Sequence, residues 1–465
     1  MKTRKILAMC LSCALMTTVF LGCTQNEQKK VSGTTELSVG NWPTKEGDYL
    51  TRITKDKEEF ENENPDILIK PDTWEFDLQT FYSKAAAGQL PDLYYANFTE
   101  IEKIVSGEYY ADLTEGLKRA GYDGVWNDSI LKLISKDGKI CTFPTSSYSL
   151  GLAYNVDLFQ QAGLMNDDGT PMQPKDWDEV IEFGKKIKDA TGKNGFMIPT
   201  MNNAGGWLAT PIAWSFGVDF MKLGSDGKYT ATFDSQELVD TMQFISDLKW
   251  KHSIFGENAL IDSDEYYKQF AIGNVGMILA AGNFTDRVFK YEMPLEKIGI
   301  MAIPSGPKKH VTLTGGYTAT VSDRASEDQI DAAIKWLEKE GNGFKITEDS
   351  KKSIEDGYKL RAEENKVVGV RSLSVYKDGT EKQEFTLEMI DKYKNIDLNH
   401  VKLYNDSLND TSIELRAEEP VCAQELYSVL DGIIQEVLTK ENVDIKSLIS
   451  KANTDFQHNY LDNLD

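Results

Sequence analysis

Apolar and polar positions alternate over residues 36–41, the period of a half-buried strand. Leu50, Ile53 and Phe60 then recur at helical spacing until Asn64-Pro65 breaks the pattern. A second strand is predicted over 66–70 and a short helix over 81–87, ended by Gly88. A buried strand at 91–95 then runs into a loop at Asn97. Strand–helix–strand alternation of this kind predicts an α/β layer with binding loops at strand ends.

Further along, Lys136-Asp137-Gly138-Lys139 marks a tight turn before a strand at 140–143 that closes the first unit. The polar, irregular passage 144–148 reads as a first crossing between domains, and 304–312 as a second. Asp176 and Glu179 open a helix that turns Trp177, Val180, Ile181 and Ile187 inward. Helices are predicted over 236–250 and 264–271, and strands over 298–303 and 312–321, the latter centred on Gly315-Gly316. Ser326 with Gln329 caps another helix, and the C-terminal third is helical, with Leu426, Val429, Leu430, Ile433 and Val437 on one stripe. Gly205-Gly206 reads as a loop.

The first residues follow a different pattern. Lys2, Arg4 and Lys5 precede an apolar run over 6–20 that is short for a bilayer span, as in an export leader. Phe20-Leu21-Gly22-Cys23 resembles a bacterial lipoprotein cleavage box, with Phe20 and Leu21 departing from its usual residues. The expectation is a leader over 1–22, lipidation of Cys23, and a polar tether over 23–35 that holds the protein on the outer face of a cell membrane. The Cys10-x-x-Cys13 motif lies inside the apolar run and would leave with the leader.

Removing the leader's three basic residues takes the formal net charge from -23 to -26. So acidic a surface repels phosphate backbones and anionic headgroups, which excludes nucleic acid as a partner. No H-E-x-x-H, G-x-S-x-G or phosphate-cradling loop occurs, and His252, His310, His400 and His458 are scattered. The expectation is a non-enzyme with no cofactor and no metal site. Cys141 and Cys422 read as buried free thiols.

The run Gly151-Leu152-Ala153-Tyr154-Asn155-Val156-Asp157-Leu158-Phe159, continuing to Leu164, is similar to a signature of the bacterial extracellular solute-binding proteins of carbohydrate transport, the maltose-binding-protein-like group. In the same order as in that family come Pro174-Lys175-Asp176-Trp177, the Phe270–Met277 segment, Ala281-Gly282-Asn283-Phe284, and Thr314-Gly315-Gly316-Tyr317. The resemblance implies a type II periplasmic-binding-protein-like α/β fold, with two lobes joined by a multi-strand hinge and closing on a solute. It divides the chain into a first lobe over 36–145, completed by 312–385, and a second over 146–311, completed by 386–465. The implied activity is capture of a carbohydrate, an oligosaccharide given the spread of aromatics, and delivery by a monomer to the permease of an ABC importer.

The resemblance also implies ligand-binding positions at Asn41, Trp42 and Lys45 after the first strand, and at Asn97 and Phe98 after the third. Others are Asn202, Asn203 and Trp207, then Phe284 where the family has a tryptophan, and Gly316 and Tyr317 at the later crossing. Aromatic faces meet the C–H face of a sugar while amides meet its hydroxyls. A peptide or polyamine is the alternative solute, the polyamine requiring several cleft carboxylates, and a glycan-acting enzyme is the alternative class.

Overall fold

The computed structural model describes residues 33–464. The expected leader, Cys23 and the tether through residue 32 lie outside the described residues.

The alternating segment near the start forms the strand Thr35–Val39, which pairs in parallel with Ile67–Pro71 on one side and Leu93–Asn97 on the other. Helices Asp48–Glu63 and Leu78–Ala87 connect them, so the βαβ expectation holds. Leu93–Asn97 pairs antiparallel with the long strand Val311–Val321, which pairs in turn with Phe143–Asn155. Residues 150–155 of Phe143–Asn155 then pair with Val275–Ala281 and Ile298–Met301. Among the described residues, one sheet of nine strands therefore runs through the molecule, and Phe143–Asn155 joins its two halves. That strand is buried from Ser147 to Asn155 except at Tyr148, and its residues from Leu150 to Tyr154 are covered on both faces as their continuous apolar character requires. Residues from Thr35 onward form one compact unit.

The irregular passage expected at 144–148 is instead continuous strand. Its polar side chains bond both to the neighbouring strand and to the segment beyond the sheet. Thr145 Oγ1 donates to the Tyr317 carbonyl at 3.0 Å, and Ser147 Oγ donates to the Leu373 carbonyl at 2.9 Å. The irregularity lies in the register, which shifts between Tyr317 and Thr318. Behind it, the buried Thr142 hydroxyl donates to the Ala319 carbonyl at 2.8 Å and meets the hydroxyls of Thr318 and Thr320.

The Gly205-Gly206 pair lies in the helix Ala204–Phe216, not in a loop. A Cβ on Gly206 would sit 2.3 Å from the Tyr427 carbonyl oxygen, so the glycine permits close approach to the helix Ala423–Thr439. From that second helix the buried Asp431 carboxylate accepts the N–H groups of Asn203 and Gly206, each at 2.7 Å, and so caps its neighbour. The locally encoded caps are as expected. Ser326 and Gln329 form a full capping box, and Asp176 accepts from the Glu179 N–H at 2.9 Å. No described helix is long and apolar enough to cross a membrane.

Candidate functional site

A cleft of about 840 Å³ opens where the two long strands cross. Its floor is set by strand register. Asn97, Tyr317 and Ser146 lie directly opposite one another on three adjacent antiparallel strands, so their side chains share one face. Gly316 makes this crossing possible. Its φ is +152°, and a Cβ there would lie 2.0 Å from the Ser146 carbonyl oxygen. Tyr317 follows with 61% of its surface exposed, an aromatic face held out into the cleft rather than packed.

One wall continues from Asn97 through the turn Phe98–Glu100 to Lys103 on the short helix Ile101–Ser106. Lys103 is buried, and its ammonium lies 2.6 Å from Glu100. The facing wall is Glu418, Glu419 and the start of the helix Ala423–Thr439, where Gln424 and Glu425 line the space. Asn283 and Ser372 close the remaining side.

The electrostatics of the facing wall follow from burial. Glu418 has its pKa raised, chiefly by burial and further by the charge of Glu100, while the Trp207 indole and Lys103 work against the rise. Glu419 is likewise raised by burial, opposed by Arg416 at 3.1 Å and by the Trp214 indole N–H, which donates to it at 2.9 Å. Burial, with Glu418 and Tyr317 nearby, pushes the Tyr148 hydroxyl up to about 12, so it remains a neutral donor at physiological pH. Among the described residues no cluster of His, Cys, Asp and Glu is arranged to hold a metal ion.

Asn97, Phe98, Gly316 and Tyr317 thus meet in one cleft, although Phe98 is itself 2% exposed and contributes packing more than surface. Asn203 reaches its edge, with Nδ2 donating to the lining Gln424 at 3.2 Å, and Trp207 stands beside Glu418. Asn202 is exposed in the preceding turn with φ +58°. Phe284 differs from expectation. Its ring is fully buried, edge-on to Phe270, and only its neighbours Gly282 and Asn283 line the cleft.

Trp42 also differs, being 8% exposed and stacked on Trp336 with ring centroids 6.0 Å apart. Asn41 and Lys45 flank it on an exposed loop outside the cleft lining. Cys422 is half-buried at the cleft rather than fully buried, and both it and Cys141 are free. Glu100, Lys103, Tyr148, Glu418 and Gln424 also line the cleft and were not expected from the sequence. The one available signal was Glu418-Glu419-Pro420 ahead of a helical stripe, and a chain with 74 Asp and Glu residues hides it.

A family model described as bacterial extracellular solute-binding protein matches residues 41–343. A binding protein of Brucella abortus (strain 2308) is 27% identical over 281 residues, 59% of this chain and 64% of that protein, so the match spans less than two thirds of that relative. The arabinooligosaccharide-binding protein of Bacillus subtilis (strain 168) is 25% identical over 333 residues, 70% of this chain and 73% of its own. The crystal structure of a cyclic alpha-maltosyl-1,6-maltose binding protein from Arthrobacter globiformis superposes with a TM-score of 0.59 at 20% identity, covering 91% of this chain and 98% of that one. The chain belongs to the bacterial extracellular solute-binding protein family and has its two-lobed, type II periplasmic-binding fold.

Proposed function

We propose that the protein captures a carbohydrate, an oligosaccharide, and delivers it to the permease of an ABC importer while tethered outside the cell through a lipid on Cys23. The observation that carries the reading is the exposed Tyr317 ring in a cleft of about 840 Å³, ringed by Asn97, Ser146, Asn283 and Gln424. A volume of this size suits a small-molecule ligand, and an exposed ring with hydrogen-bonding neighbours suits a sugar's C–H face and hydroxyl rim. The oligosaccharides named for the Bacillus and Arthrobacter proteins support the same ligand class. The proposed lobes are 36–145 with 312–385, and 146–311 with 386–465, the protein acting as a monomer without catalysis. Closure is favoured only to the extent that the solute touches both walls.

The test is a thermal-shift and calorimetric screen of the purified chain against malto-, arabino- and xylo-oligosaccharides. A binder raises Tm in step with its occupancy. One specific observation favours a second reading. The cleft carries the carboxylates that a polyamine requires, Glu100, Glu418, Glu419 and Glu425. Spermidine therefore belongs in the same screen, and a shift with spermidine but with no oligosaccharide would replace the carbohydrate reading.

A further inference from the structure

The charges around the cleft are unevenly committed. Lys103 is the one cation among the described residues that line it, and it is buried and held by Glu100 at 2.6 Å. Arg416, behind the facing wall, is shared between Asp219 at 3.2 Å and Glu419 at 3.1 Å. Glu418 and Glu425 line the same cleft, and neither takes part in an ion pair among the described residues. An anionic ligand entering here meets no uncommitted cation and two carboxylates outside any ion pair among the described residues, Glu418 being hydrogen-bonded but not neutralised by Trp207 and Tyr427. A polyol or an amine meets acceptors.

We infer that Glu418 is a charge-selecting residue of the cleft, admitting neutral and amino-bearing glycans and rejecting glycans that carry carboxylate, sulfate or phosphate groups. The inference rests on the carbohydrate reading above. Its physical basis is that a site discriminates by repulsion as well as by attraction. Like charges in a partly desolvated cleft interact far more strongly than in bulk water. Glu418 is half-buried beside Trp207, so its field is poorly screened, whereas Glu425 is exposed on the first turn of its helix and acts more weakly.

The experiment uses the purified protein with three sets of oligosaccharides: neutral malto-, arabino- and xylo-chains, 2-amino chains from chitosan, and anionic oligogalacturonates. The expected result is binding of at least one neutral or amino set and, for the anionic set, affinity at least about tenfold weaker, with the gap narrowing as salt is raised. Glu418→Gln should raise the anionic-to-neutral affinity ratio by about tenfold, and Glu425→Gln should raise it by less. Each variant's Tm without ligand reports that it is folded. An oligogalacturonate that binds the native protein as well as the neutral chains would overturn the inference and leave the carbohydrate reading standing, as would an unchanged ratio in Glu418→Gln. If no glycan of any charge binds, the carbohydrate reading falls and the inference falls with it.

Discussion

Two loops in this molecule carry the same pair of residue types, and their asparagines have opposite fates. Asn41-Trp42 follows the strand Thr35–Val39, and Asn97-Phe98 ends the strand Leu93–Asn97, its parallel neighbour. The first loop is laced to the segment after Ile67–Pro71, with the Asn41 N–H donating to the Trp74 carbonyl at 2.8 Å and the Trp42 N–H to Asp72 at 2.9 Å. Trp42 then packs on Trp336 in the core. The second loop sits one strand closer to the crossing, where Asn97 lies opposite Tyr317. Position in the sheet order, not local sequence, decides which asparagine faces the cleft, while both aromatics pack in the core.

The comparison can be broken most forcefully at Trp42. Trp42→Ala should lower stability by about 3–5 kcal/mol, the usual loss for a truncated core aromatic, while the protein that remains folded keeps its oligosaccharide affinity. Chemical denaturation and calorimetric titration measure the two separately, and a large affinity loss without destabilisation would put Trp42 back in the site. Tyr317→Ala should do the reverse. It costs about 2 kcal/mol of binding, some thirtyfold in Kd, and leaves the melting temperature of the unliganded protein near its starting value.

A smaller contrast separates the two asparagines. Asn97→Ala should cost about 1 kcal/mol of ligand binding and Asn41→Ala nothing measurable in the same titration. A separate contrast is a slope of stability with pH, away from the cleft. Glu340 lies just beyond the helix that carries Trp336, and burial raises its carboxyl from 4.5 to about 7 while the Tyr95 hydroxyl donates to it at 2.6 Å. The folded protein thus keeps a proton between about pH 4.5 and 7 that the unfolded chain has released. Stability from this group therefore falls as pH rises through that window and is fully lost above about 7. Glu340→Gln should remove the slope, seen as a flatter plot of Tm against pH, without touching ligand affinity.

What the sequence made legible was local. The Ser326–Gln329 capping box, the Asp176 cap and the apolar stripe of Ala423–Thr439 depend on neighbours within four residues, and each formed as read. Asn97 and Tyr317, which line the cleft, were named through the family resemblance, at the end of one strand and within another. Glu418 and Lys103 were not, since they meet only after the chain has left one half of the molecule and returned more than 300 residues later. Gly205-Gly206 misled for a related reason. Their small size answers to a helix packed across them, not to a turn at their own position.

The long strand Phe143–Asn155 has a consequence for how the protein unfolds. Its first half pairs with Val311–Val321 and its second half with Val275–Ala281 and Ile298–Met301, with no linker between. Neither half of the sheet can lose its order without stripping backbone partners from the other. Two-lobed in shape, the folded body should melt as one cooperative unit, with calorimetric and van't Hoff enthalpies that agree. A chain cut at this strand should yield two fragments that fold only when mixed.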